Sequence, residues 1–288
     1  MAAVNALINM RADRAVPIAM QLLANRGQSV AIRKQALFVL AEKADEANVE
    51  AQAREILVRT ALDPTDDLEV RTQAVFWLSE VPGEATLDAL SQLLSGSGDR
   101  ELKNRAIFAI SQHDSARALA LLREFAADDQ FDIELRKQAI FWIGEEGEEQ
   151  GLPFLTELYG KLANAELKKQ ILFAVSETDA DSSMDWLVAR ASDAEESLET
   201  RKQALFWAAE AGLPLDRLSS LYRSVTEPEL RQHLIWLVAE HDGAASLDTL
   251  FEIARADPDP QMRAKAIFWL GDSEDPRAAE YLLELLEQ

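Results

Sequence analysis

Cysteine is absent from the chain, which excludes disulfides and thiolate metal sites. Histidine is nearly absent too, with three in 288 residues. Long apolar runs are missing, and nothing approaches the roughly 20 apolar residues of a membrane-spanning helix. The opening "MAAVNALINMRADR" has neither the basic start nor the apolar stretch of a signal peptide. Positive charge is scarce: 29 Lys and Arg face 51 Asp and Glu, a formal charge of −22. That excess repels nucleic-acid phosphates, and no concentrated basic patch offsets it. Anionic lipid is disfavoured on the same ground. No "GxSxG", phosphate-cradling glycine loop or "HExxH" occurs. The expectation is a chain with no catalytic residue, no cofactor, no metal, no nucleic-acid partner and no membrane insertion. Compartment stays open, since a soluble cysteine-free chain suits cytoplasm or periplasm.

What is present is repetition. "RKQAIFWIGEEG" at 136–147 returns as "RKQALFWAAEAG" at 201–212, "RTQAVFWLSEVPG" at 71–83 and "RAKAIFWLGDSED" at 263–275. Aligned on the basic residue, eight copies start at Arg33, Arg71, Lys103, Arg136, Lys168, Arg201, Arg231 and Arg263. Their spacing of 30 to 38 residues is that of a solenoid. Between them lie second apolar patterns such as "TLDALSQLL", "LPFLTELYG" and "LDTLFEIAR", punctuated by links such as "DPTDD" and "ADPDP". Each unit is therefore a pair of helices, and the fold class is all-α.

The later helix of each pair reads "L/V-R/K-x-x-A-x-x-x-L/I/V" after an acidic turn, as in "DPTDDLEVRTQAVFWL" and "DPDPQMRAKAIFWL". This pattern resembles the HEAT-repeat family over essentially the whole chain. More narrowly it is similar to HEAT domains of bacterial proteins. The resemblance implies an α-solenoid (superhelix) of about eight helix pairs with a half-repeat at each end, forming one array over residues 1–288. "AAVNALINM" reads as a second-type helix and "PRAAEYLLELLEQ" as a first-type helix. An apolar face on Ala3, Ala6, Leu7 and Met10 predicts a fragment of a longer chain, because solenoids usually finish in polar caps.

Numbering each block from its basic residue places the columns on a helical wheel. Columns 4, 5 and 8, such as Ala139, Ile140 and Ile143, form the core side. Column 1 predicts an intramolecular ladder to turn carboxylates such as Asp67 and Asp257. Column 6 is aromatic throughout: Phe38, Phe76, Phe108, Phe141, Phe173, Phe206, Trp236 and Phe268. Column 3 (Gln35, Gln73, Arg105, Gln138, Gln170, Gln203, His233, Lys265) leans the same way. So does column 10 (Glu42, Glu80, Gln112, Glu145, Glu177, Glu210, Glu240, Asp272). The spacing i, i+3, i+7 makes Gln, ring and carboxylate one stripe per helix. Stacked helices repeat that stripe along the concave face. The same rings are also candidates for packing between repeats. Column 7 alternates large with small (Val39, Trp77, Ala109, Trp142, Ala174, Trp207, Leu237, Trp269), so the true unit is two repeats, about 65 residues. Packing is the better reading of this column, and Trp77, Trp142, Trp207 and Trp269 are also counted among the partner-binding residues of the concave stripe, whereas Trp186 on a first-type helix reads as core.

His113 and His241 stand four repeats apart, and His233 with His241 reads as an exposed solitary pair rather than a ligand set. Enzymes of HEAT-like architecture supply the alternatives. Di-iron hydroxylases carry repeated His-Glu pairs, which this chain lacks, and DNA glycosylases are basic. A bilin lyase or its subunit, or a structural domain attached to a missing enzymatic domain, remains the alternative. The primary expectation is a monomeric, non-catalytic scaffold binding protein or extended peptide of basic character. Its stripe resembles in logic the Trp and Asn ladder of armadillo repeats.

Overall fold

The computed structural model describes residues 7, 9–44, 50–96, 99–178, 181–241, 243–273 and 275–287. Among them are seventeen α-helices and no strand. First-type helices are α1 (Ala12–Ala24), α3 (Glu50–Leu62), α5 (Glu84–Ser95), α7 (Ala116–Ala127), α9 (Gly147–Lys161), α11 (Asp181–Ser192), α13 (Leu215–Ser224), α15 (Ala244–Ala256) and α17 (Pro276–Leu286). Second-type helices alternate with them: α2 (Val30–Lys43), α4 (Leu68–Leu78), α6 (Arg100–Ser111), α8 (Ile133–Glu145), α10 (Ala165–Ser176), α12 (Leu198–Glu210), α14 (Pro228–Glu240) and α16 (Pro260–Gly271). The protein is an all-α solenoid built of such pairs. The extra N-terminal helix expected over "AAVNALINM" falls largely outside the described residues.

The helices start where the sequence supplies an acceptor. Ser29, Asp67, Asp99, Ser115, Asn164, Ser197, Asp259 and Asp275 each accept a backbone N–H of the first turn. Each such cap satisfies an otherwise orphaned donor and stabilises its helix by about 1 kcal/mol.

The chain divides into two compact units, Met1–Ile143 and Gly144–Gln288. Within the first, α2 packs on α4 and α4 on α6, while α3 packs on α5 and α5 on α7. Within the second, α10, α12, α14 and α16 form one row, while α9 packs on α11 and α13 on α15. Columns 4 and 8 are buried in every copy, from Ala36 and Leu40 to Ala266 and Leu270. Column 5 is buried in all but the last, where Ile267 is half-buried.

Column 1 carries the ladder, and it does two jobs. The Nε of Arg33, Arg71, Arg136 and Arg201 donates to the carbonyl ten residues earlier, at Leu23, Ala61, Ala126 and Ala191, over 2.9 to 3.2 Å. Each acceptor is the penultimate residue of the preceding first-type helix. A cation there satisfies an unpaired carbonyl and complements the negative end of the helix dipole. The guanidinium nitrogens then reach forward to the acidic turn of the next repeat. Arg33 binds Asp66 through two 2.6 Å hydrogen bonds, with side chains only 5% and 6% exposed. Arg201 meets Glu227 at 2.6 Å and Lys168 meets Glu196 at 3.1 Å. Arg231 meets Asp257 at 2.5 Å, and Tyr222 donates to the same carboxylate at 2.5 Å.

One expected rung is corrected. The partner of Arg33 is Asp66, not Asp67. Asp67 sits immediately before α4 and accepts the Glu69 N–H, so the capping geometry claims its carboxylate. Trp186 is half-buried rather than core, lying edge-on to Tyr159 at 5.0 Å.

Two of the ladder acids, Asp66 and Asp257, are biased toward ionisation. Burial by itself would raise the carboxyls of Asp66 and Asp257. For Asp66 the Arg33 hydrogen bond and the Asp67 N–H outweigh it, and for Asp257 the Tyr222 hydroxyl, the Asp259 N–H and Arg231 do, so both lie below the usual carboxylate range. Such a group adds stability above its unfolded value of 3.8 and loses it as pH falls through the lower folded value. Asp66→Asn should cost about 3–5 kcal/mol, because it strands a buried guanidinium. Asp67→Asn should cost less than about 0.5 kcal/mol, since Asn caps equally well. Urea denaturation followed by circular dichroism measures both. An Asp66→Asn/Asp257→Asn protein should also lose stability less steeply than wild type between about pH 4 and pH 2.

Candidate functional site

The ladder fixes the rotation of each second-type helix, and so decides what faces away from the core. Column 10 is exposed in all eight copies, from Glu42 to Asp272. Column 3 is half-buried at Gln35, Gln73, Gln138, Gln170, Gln203, His233 and Lys265, and exposed at Arg105. Column 6 is half-buried in seven copies, whereas Phe268 is 63% exposed. Each helix thus carries a graded stripe, from a wedged ring to a solvated carboxylate.

The rings both pack and show a face. In the first unit Phe38 lies 5.3 Å from Trp77, which meets Phe76 edge-on at 5.0 Å. Phe108 meets Trp142 at 5.7 Å, and Trp142 meets Phe141 at 5.0 Å. In the second unit the series runs Phe173 to Trp207 at 4.9 Å and Trp207 to Phe206 at 4.9 Å. It continues from Phe206 to Trp236, parallel within 5° at 6.1 Å. A column-7 Trp therefore fits against the column-6 Phe of the preceding second-type helix. This explains the two-repeat alternation of large and small residues. Such edge-to-face pairs are worth about 0.5–1.5 kcal/mol beyond burial.

The carboxylates occupy an unfavourable place. Glu145, Glu210 and Glu240 are the last residues of α8, α12 and α14, while Glu177 and Asp272 cap the C-termini of α10 and α16. A negative charge there opposes the helix dipole and costs about 0.3–1 kcal/mol. Seven of the eight copies accept that cost at column 10. The Trp236 indole N–H donates to Glu240 at 3.1 Å. Together with Glu210 these two residues line a cleft of about 350 Å³ in the second unit.

The stripe also has a basic edge that column reading missed. Column 2 places Lys34, Lys137, Lys169 and Lys202 at the N-terminal ends of their helices, all half-buried. Lys34 approaches Glu69 at 3.6 Å, and Lys137 and Lys169 pair within their own helices to Glu134 and Glu166. Lys34, Gln73, Phe76 and Arg105 share a cleft of about 440 Å³ with Glu69 and Glu101. The lysine at column 2 is visible in the sequence as "RKQA" at 33–36, 136–139 and 201–204, but a single wheel does not tell which edge of the stripe it borders.

The histidines depart from expectation. His233 is half-buried, with Nε2 3.1 Å from the Lys202 carbonyl and its ring 5.0 Å from Trp236. His113 is buried against the end of α4. Burial pushes both imidazoles below their ordinary value. Among the described residues no group of three or more His, Asp or Glu side chains is arranged to hold a metal, and no helix is long and apolar enough to cross a membrane.

If the rings lock adjacent repeats, Trp207→Ala should cost about 2–4 kcal/mol, since it removes a large packed side chain between Phe173 and Phe206. Phe268→Ala should change stability by no more than about 0.5 kcal/mol, as expected of an exposed position. Thermal and urea unfolding of the two variants checks the contrast.

A family model described as HEAT repeats matches residues 57–133 and 215–288. Among solved structures, human deoxyhypusine hydroxylase in complex with glycerol is similar at 18% identity and a TM-score of 0.34, covering 93% of this chain and 88% of its own. The complex of CpcE and CpcF of phycocyanin lyase from Nostoc sp. PCC7120 is similar at 15% identity and a TM-score of 0.38, covering 82% and 92%. No curated protein matches the chain.

Proposed function

The chain belongs to the HEAT-repeat family, and on that premise we propose that it is a non-catalytic binding protein that takes basic protein or peptide segments along its second-helix face. HEAT repeats commonly mediate protein interaction, which supports the general reading. The observation that carries the finer one is the column-10 row. Carboxylates stand exposed at or just beyond the C-terminal ends of helices, where a negative charge opposes the helix dipole. Sites that break a local rule without a structural gain are expected to serve function.

The chemistry follows from the neighbours of that row. Helix C-termini present unpaired carbonyls beside the carboxylates, so both favour a cation. Half-buried rings offer a face to an arginine or lysine stem, worth about 0.5–1 kcal/mol each at exposed sites. Column-3 glutamines can donate to and accept from an extended backbone. The column-2 lysines on the opposite edge would repel a ligand that is basic along its whole width, which sets its orientation. With −22 overall, association should be fast at low salt and weaken as the screening length shortens to about 8 Å at physiological ionic strength.

Reversing Glu80, Glu145, Glu177 and Glu210 to Lys should lower affinity for a fluorescent Lys/Arg-rich dodecapeptide at least tenfold, read by anisotropy. Thermal stability should hold or rise slightly, because Lys suits a helix C-terminus. A control reversing Glu55, Glu124, Asp216 and Glu284, exposed on first-type helices, changes net charge equally. Equal loss in both proteins would reduce the effect to net charge, and no loss in either would leave the stripe as packing alone.

A further inference from the structure

A forward carboxylate closes the column-1 rung at Arg33, Lys168, Arg201 and Arg231, and the rung after Lys103 is one of those left open. In two copies the acid stands five residues before the next basic residue: Asp66 before Arg71 receives Arg33, and Glu196 before Arg201 receives Lys168. The position midway, 65 residues from each (131 − 66 and 196 − 131), is Phe131, five before Arg136. Phe131 turns onto Phe125, edge to face at 5.0 Å. The side chain of Lys103, the base that an acid here would serve, makes no hydrogen bond or ion pair among the described residues. Arg100, one turn earlier on α6, has none either. Both cations line a cleft of about 530 Å³ within the first unit, walled on its apolar side by the two phenylalanines and two leucines.

We propose that this cleft is a binding site for a monoanionic carboxylate carried on an apolar body. The carboxylate takes the place that Asp66 and Glu196 fill in the other copies, against Lys103 and within reach of Arg100. The body lies on the Phe125 and Phe131 rings. A carboxylate is the group that column 1 receives at every paired rung, so the geometry is already built for one. Glu124, Asp128 and Asp132 line the same cleft. The last two accept the N–H groups of Gln130 and Glu134. With three carboxylates beside two cations, each added negative charge on a ligand is opposed, so a singly charged ligand is favoured over a dianion such as phosphate. The carboxylate can come from a free organic acid or from the C-terminus of a peptide. Arg100 and Lys103 stand in the first turn of α6, at the opposite end from the column-10 carboxylates of the second-type helices, so the site stands or falls independently of that row.

The test titrates the full chain with phenylacetate and with two peptides of one sequence ending in Phe, one with a free carboxylate and one amidated. Calorimetry gives affinity, and the Lys103 side-chain resonances report the site. Phenylacetate should bind in the millimolar range and shift those resonances, and inorganic phosphate should not displace it. Lys103→Met should weaken binding at least tenfold while leaving the fold intact. Phe131→Glu should do the same and should move the Lys103 resonances before any probe is added, because the rung is then completed from within. A free-carboxylate peptide that binds more tightly than phenylacetate identifies a chain terminus as the source, whereas a weaker one identifies a small acid. The proposal is overturned if neither carboxylate probe binds up to about 10 mM, a free energy too small to register as recognition. It is equally overturned if the amidated peptide matches the acid, or if both variants bind as wild type does.

Discussion

Where the ladder is complete, as at Arg33 and Arg201, a basic side chain at the start of a second-type helix holds three pieces of the chain at once. Its Nε ties down the last turn of the preceding helix, its terminal nitrogens reach the turn of the next repeat, and its own helix is fixed in rotation by the two bonds together. Arg33 shows the full arrangement, bonded to the Leu23 carbonyl and to both oxygens of Asp66. Because each repeat touches only its neighbours, stability in such an array is a sum of local and nearest-neighbour terms. A buried, fully bonded cation is a demanding nearest-neighbour term, since it tolerates little change in rotation or spacing. Apolar contacts between repeats are less selective, and alone they would permit slippage.

The rings of column 6 and the carboxylates of column 10 inherit their positions from that fixed rotation. A Phe that leans toward its neighbour finds the column-7 Trp of the next second-type helix, as Phe38 finds Trp77 and Phe173 finds Trp207. The seam is closed at its base, and what reaches solvent is a row of half-buried rings bordered by charge. Packing and binding are therefore not competing explanations for one residue. The buried half of each ring sets the geometry of the half left exposed.

Local departures from the repeat matter more than the repeat itself when function is considered. Glu210 and Glu240 stand at helix ends that would be more stable with lysine. Phe131 stands where two related turns carry an acid, and it leaves Lys103 facing an open cleft. Neither departure weakens the array enough to break it, because caps, core alanines and the paired rungs are intact around them.

Much of this was legible in the residues. Eight aligned copies specified helix pairs, the core columns and the exposure of column 10, because a period near 3.6 leaves only one way to bury Ala, Ile and Leu together. The column-1 ladder was legible as a ladder, since a basic residue beside an acidic turn has few other uses. Which acid closes each rung was decided only in three dimensions. Asp66 and Asp67 are neighbours of the same type, and helix capping claims one while the guanidinium takes the other. Tertiary packing likewise half-buried His233 against Lys202 and Trp236, placed Trp77, Trp142 and Trp207 each against a Phe from the preceding repeat, and set the column-2 lysines along the second edge of the stripe. Periodicity ranks positions by their angle about one helix, whereas these outcomes depend on distances between helices, which no single wheel contains.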